Sequence, residues 1–139
     1  AFVGLTLAHD RRHLTRAVME GVAFGLRDGL DLMTAAEMPR PSRILASGGG
    51  LASPVWTQIL ADVLGAEIAT PSTTEGAAFG AAVLGAVGAG WFATVEEASD
   101  AVVTATPKAA PGRDRTRYAE AHARYRDLYP ALSPTFHRL

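Results

Sequence analysis

The stretch Ser47-Gly48-Gly49-Gly50-Leu51-Ala52-Ser53-Pro54 constrains the fold of this chain more than any other. Residues 44–47 ahead of it read as a short buried strand. Behind it, Ser53 offers a hydroxyl for a helix N-cap and Pro54 a pre-set φ for the first helical position. The chain must therefore pass from strand to helix through a turn almost devoid of side chains. Glycines let the backbone approach a ligand closely, and the unpaired N–H groups of a helix start carry partial positive charge. Gly48, Gly49 and Gly50 thus suit a nucleotide or a phosphate. A tight turn without a ligand is the competing reading, although two glycines would suffice for most turns.

Two familiar phosphate patterns do not fit. Gly48-x-Gly50-x-x-Ser53 has serine where a dinucleotide fingerprint needs glycine or alanine for close helix packing. The acidic residue expected at the far end of the next strand is also displaced, because Glu67 opens that strand and Thr70-Pro71 ends it. A Walker loop needs Gly-Lys-Ser/Thr, and the chain's one lysine is Lys108.

The rest of the chain reads as alternating short strands and helices. Residues 2–7 are rich in strand formers. From Leu14 the apolar positions Val18, Val22, Leu26, Leu30 and Met33 recur at helical spacing, with Asp10 as N-cap and Pro39 and Pro41 beyond the end. After Pro54, the positions Val55, Ile59, Val63 and Leu64 form a buried helical face, and Gly65 is a good stop. A second strand spans residues 67–70. Ser72-Thr73-Thr74-Glu75 is a cap signal for a helix over 76–87 made almost wholly of small residues, and such a helix is expected to lie close to a sheet or a ligand. Thr94-Val95-Glu96-Glu97 is a capping box for a short helix reaching about Val103. Residues 107–112 read as a loop, and a last helix near 114–129 carries Tyr118, Ala121, Tyr125 and Leu128 on one face.

Composition narrows the function classes. A length of 139 residues allows one domain, and 48% hydrophobic with 19% charged residues can bury a core. The net charge of -1 argues against a dedicated nucleic-acid binder, although Lys108 onward carries seven basic residues against three acidic. That excess reads as a solvated arginine face packed through its tyrosines. No cysteine is present, which excludes a disulfide scaffold, a thiolate metal site and a cysteine nucleophile. No apolar run of bilayer length occurs, so the chain is expected to be soluble and cytoplasmic. His9 and His13 stand four apart with no third ligand nearby and read as hydrogen-bonded structural histidines, and His122 and His137 have no evident partner. Ala1 opens straight into an apolar run, as a piece cut from a longer enzyme would.

Residues 47–65, followed by Glu75-Gly76-Ala77-Ala78-Phe79-Gly80-Ala81-Ala82, resemble the C-terminal domain of the FGGY carbohydrate kinases. Gly4-Leu5-Thr6, His9, residues 16–24 with Leu26-Arg27-Asp28, and the ending Tyr125, Tyr129-Pro130 and Leu132 extend the likeness over the whole chain, residues 1–139. The resemblance implies an α/β, actin-like (ribonuclease-H-like) lobe, incomplete, from a two-domain sugar kinase. ATP would lie in the cleft between domains, and magnesium would accompany it. Gly49 and Gly50 would touch the nucleotide through their backbone. Ser53 would stand near the adenine while also capping the helix, Gln58 and Asp62 would support the loop, and Glu75 with Gly76 would begin a helix that buttresses it.

The resemblance also implies what lies elsewhere. The phosphate-binding loops and the catalytic aspartate of the family precede this region, so the chain alone is expected to be inactive, without the N-terminal domain that partners it. The sugar, for which a ketopentose is the leading expectation, would bind mainly to that missing part, and a homodimer is compatible with this reading. The alternative is a free-standing actin-like nucleotide-binding or interaction module without catalysis. A valine at Gly50 is expected to weaken ATP binding and spare the melting temperature.

Overall fold

The computed structural model describes residues 1–72 and 76–136. Asp10 starts the first helix, α1 (Arg11–Ala35), by accepting the amides of Arg12 and His13. The His13 ring reaches back to the Asp10 amide at 3.2 Å, which completes a capping box. β1 (Arg43–Leu45) follows, then a single 3-10 turn (Gly49–Ala52) and α2 (Pro54–Leu64). Gly65 ends α2 in the left-handed conformation, φ 69°, which glycine adopts without steric cost. β2 (Glu67–Pro71), α3 (Gly76–Gly88), α4 (Val95–Val102), β3 (Ala105–Ala109) and α5 (Arg115–Phe136) complete the order.

β1 and β2 run parallel, with Arg43 opposite Glu67 and Leu45 opposite Ala69, so α2 is the crossover of a βαβ unit. β3 adds to the other side of β2 in antiparallel sense, giving the order β1-β2-β3. α2 lies at the centre of the core. Its Ile59 and Val63, together with Ile68 of β2, are the largest side chains fully removed from solvent. Phe24 of α1 and Tyr118 of α5 close the other side. The Tyr118 hydroxyl donates to Glu20 at 2.8 Å and accepts from Arg16 at 2.6 Å, which ties α5 to α1. Burial, and then the bond to Glu20, push the Tyr118 phenol above its ordinary value.

Several expectations need correction. Residues 2–7 form no strand, and Phe2, Val3, Leu5 and Leu7 are exposed, because no edge pairs with them among the described residues. β1 is only half-buried, since Arg43 and Leu45 face out. The α1 stripe Val18, Val22, Leu26 and Met33 is also exposed, each by about half. α2 and α5 pack instead on Met19, Ala23, Phe24 and Leu30. Val55 points outward from α2.

Residues 105–109 form a strand where a loop was expected. Pro107 is tolerated there because the strand is an edge, where a missing N–H interrupts no second ladder. α5 runs on past Tyr129 through Pro130 and Pro134, on an exposed stretch where water can satisfy the carbonyls the prolines leave unpaired. α3 packs on α4, Val83 alone of its residues is buried, and no atom stands within 4 Å of a Cβ placed at Gly76, Gly80 or Gly85. The close packing expected of this helix does not occur against the described residues. Thr73, Thr74, Glu75 and His137 lie outside those residues. Among them, no helix is long and apolar enough to cross a membrane.

Candidate functional site

The glycine loop begins with a conformation that only glycine adopts readily, since Gly48 has φ 116° and ψ 162°. The 3-10 turn follows, with the Leu51 amide donating to Gly48 O at 3.2 Å and the Ser53 amide to Gly50 O at 3.1 Å. The amides of Gly49 and Gly50, in the first turn, meet no acceptor among the described residues. Ser53 caps α2 as its sequence predicts, its Oγ accepting the Trp56 amide at 3.3 Å.

Beside this loop is a cavity of about 460 Å³. Ser47, Gly48 and Gly49 line it from the loop, Thr70 and Pro71 from the end of β2, and Lys108 from β3. It therefore sits beyond the carboxyl ends of two parallel strands, the usual place for a ligand in an open α/β sheet. No carboxylate is among the described residues that line it. The unpaired Gly49 amide and Lys108, meeting at one cavity, can hold an anionic or strongly polar ligand, and that chemistry fits part of a nucleotide.

The four candidate residues divide. Gly48 and Gly49 line the cavity, whereas Gly50 backs onto Trp56, where an added Cβ would stand 3.3 Å from the ring Cδ1 and Nε1. Ser53 does not line the cavity. Gln58 and Asp62 do not brace the glycine loop. Gln58 Nε2 donates to Ala110 O at 3.0 Å and to Asp62 at 3.2 Å, and the Gly112 amide donates to Asp62 Oδ1 at 2.5 Å. This pair anchors the turn between β3 and α5. That Lys108 lines the cavity was not foreseen, because the loop expected at 107–112 hid the strand that carries it.

His9 and His13 hold structural bonds. His9 Nδ1 is 3.0 Å from the Thr6 amide, and His13 Nδ1 is 2.8 Å from Asp10. No group of three or more metal-ligating side chains is placed to hold an ion among the described residues. A larger groove, about 770 Å³, runs between α1 and α5 and is walled mainly by apolar side chains such as Leu32, Leu128 and Phe136. Asp28, Asp31 and Arg126 also line it.

A family model described as the C-terminal domain of the FGGY family of carbohydrate kinases matches residues 1–89. The chain belongs to this family. It is 29% identical to a xylulose kinase of Lactococcus lactis over all of its own length and 28% of that protein's. The crystal structure of xylulose kinase from Rhodospirillum rubrum superposes with a TM-score of 0.84 at 34% identity, over 99% of this chain and 28% of that one. Gluconate kinase from Lactobacillus acidophilus gives a TM-score of 0.87 at 26% identity, over 99% of this chain and 28% of that one. The chain thus spans little more than a quarter of these relatives. The mixed α/β, actin-like lobe expected from the sequence is the fold observed.

Proposed function

We propose that this chain is the nucleotide-side C-terminal lobe of an ATP-dependent sugar kinase, and that the sugar is D-xylulose, converted to xylulose 5-phosphate. The observation that carries the reading is the glycine-loop cavity at the strand ends, in a chain that matches xylulose kinases from end to end. The γ-phosphoryl group would pass from ATP to a sugar hydroxyl. Catalysis of that transfer rests on positioning and on neutralising charge. Gly48 and Gly49 contribute positioning, because bare backbone there lets the nucleotide lie against the loop. The catalytic base, the sugar contacts and the ligands of magnesium belong to the remainder of the enzyme, which is cytoplasmic in this reading.

The exposed apolar stripe of α1 supports a lobe that packs against more protein. Val18, Val22, Leu26 and Met33, with Phe2, Val3 and Leu5, leave more apolar surface open than a self-sufficient soluble module usually shows. Gluconate is the second sugar to test, given the likeness to gluconate kinase.

The full-length enzyme assayed for ADP release should show its highest kcat/KM with D-xylulose against D-gluconate and glycerol. Preference for gluconate would correct the sugar, and no ATP-dependent turnover with any of the three would overturn the kinase reading. Calorimetry of the isolated chain with ATP and magnesium should show weak binding or none. Submicromolar affinity, about -8 kcal/mol or tighter, would show that this lobe holds a complete site.

A further inference from the structure

β3 changes register against β2. Ile68 stands opposite Ala109 and Ala69 opposite Pro107, so β3 carries one residue more than its partner between these pairs. That residue is Lys108. A bulge leaves its extra residue out of the ladder and re-aims the side chain. Here Lys108 lines the cavity that Gly48 and Gly49 also line. Lys108 is the one lysine in the chain, and it forms no ion pair with the described residues. The amide of Gly49, which lines the same cavity, likewise meets no acceptor among the described residues. An unpaired loop amide and a lysine thus reach one cavity from two different elements, with no described carboxylate to oppose them, an arrangement whose natural complement is an anion.

Resting on the nucleotide-site reading above, we infer that Lys108 binds a phosphate group of a nucleoside di- or triphosphate held against the glycine loop. Its ammonium is a compact point charge on a flexible stem, suited to a phosphate oxygen rather than to the pattern of a base edge. Lys108 therefore sets the preference for phosphorylated over unphosphorylated nucleoside. The competing role is protective, since a lysine on an edge strand also discourages pairing with other chains.

The test uses the full-length enzyme and two probes, ADP and adenosine, with binding measured by calorimetry and folding checked by melting midpoint. Lys108→Gln should weaken ADP roughly tenfold to hundredfold, the loss of one charge-assisted hydrogen bond, and leave adenosine within about twofold. Lys108→Arg should restore most of the ADP affinity. Equal weakening of both probes, or unchanged ADP affinity, overturns the phosphate role and leaves the edge-guard role. Gly49→Val separates this from the underlying reading. If that variant binds both probes as the wild type does, the glycine loop is not the nucleotide site and the proposal falls with it.

Discussion

His122 Nε2 on α5 stands 2.9 Å from Asp28 Oδ1 on α1, joining side chains 94 positions apart in sequence. The imidazole is 4% exposed and lies against the rings of Phe24 and Tyr125, with centroids 5.7 and 6.3 Å away. His122→Ala should open a void beside Phe24 and leave Asp28 with only the longer contact to Arg126, 3.8 Å away. A loss of about 1–3 kcal/mol is expected, read as a lower urea midpoint with an unchanged slope. A midpoint equal to that of the wild type would show that this bond does not hold α5 in place.

Asp62 is buried, and it takes the Gly112 amide and Gln58 Nε2 together. Asp62→Ala removes a buried carboxylate that accepts two part-buried bonds, a loss of about 1.5–3 kcal/mol. Asp62→Asn keeps one acceptor for Gly112 and should lose less. Thermal melts of the two variants check the order, and the reverse order would refute the bonding pattern.

Gly50 and Gly49 should respond differently to the same substitution. A valine at Gly50 must displace the Trp56 ring, at an overpacking cost of about 1–3 kcal/mol, because a Cβ alone already stands 3.3 Å from it. At Gly49 nothing lies within 4 Å and the space is open. Gly50→Val should therefore lower the melting temperature and shift Trp56 emission, read in a Trp91→Phe background, whereas Gly49→Val should do neither. This replaces the expectation that a side chain at Gly50 spares stability.

Asp10 predicts an acid-sensitive start to α1. The Arg12 guanidinium first, and the His13 ring after it, hold its carboxyl at about 2, below the ordinary 3.8. A lowered folded value means the stabilisation is present above the unfolded value of 3.8 and is lost as pH falls toward about 2. The advantage in melting temperature of the wild type over Asp10→Asn should accordingly shrink across that window and vanish below it. An advantage that persists at lower pH would show that the charge is not the cause.

Much of the local structure was legible because its causes are local. Asp10 at an N-cap, Ser53-Pro54 at a helix start, Gly65 at a helix end and the cap at Thr94 each act within four residues, so their spacing alone places the ends of α1, α2 and α4. The glycine run likewise marked the turn beyond β1 as the place where a ligand could meet bare backbone.

What the sequence could not decide was which surfaces meet. The apolar stripe from Val18 to Met33 has good helical spacing, yet α2 and α5 cover the neighbouring face, because burial follows from partners rather than from periodicity. Residues 105–109 became a strand through pairing with β2, and no period-2 apolar pattern announced it. The site itself divided on the same ground. The sequence by itself determined that Gly48 and Gly49 would be bare backbone at a strand-to-helix turn. Only the tertiary structure turned Gly50 toward Trp56 and brought Lys108, 60 residues beyond Gly48, to the cavity that Gly48 and Gly49 line, because a bulge in an edge strand is a relation between two strands and belongs to neither sequence alone.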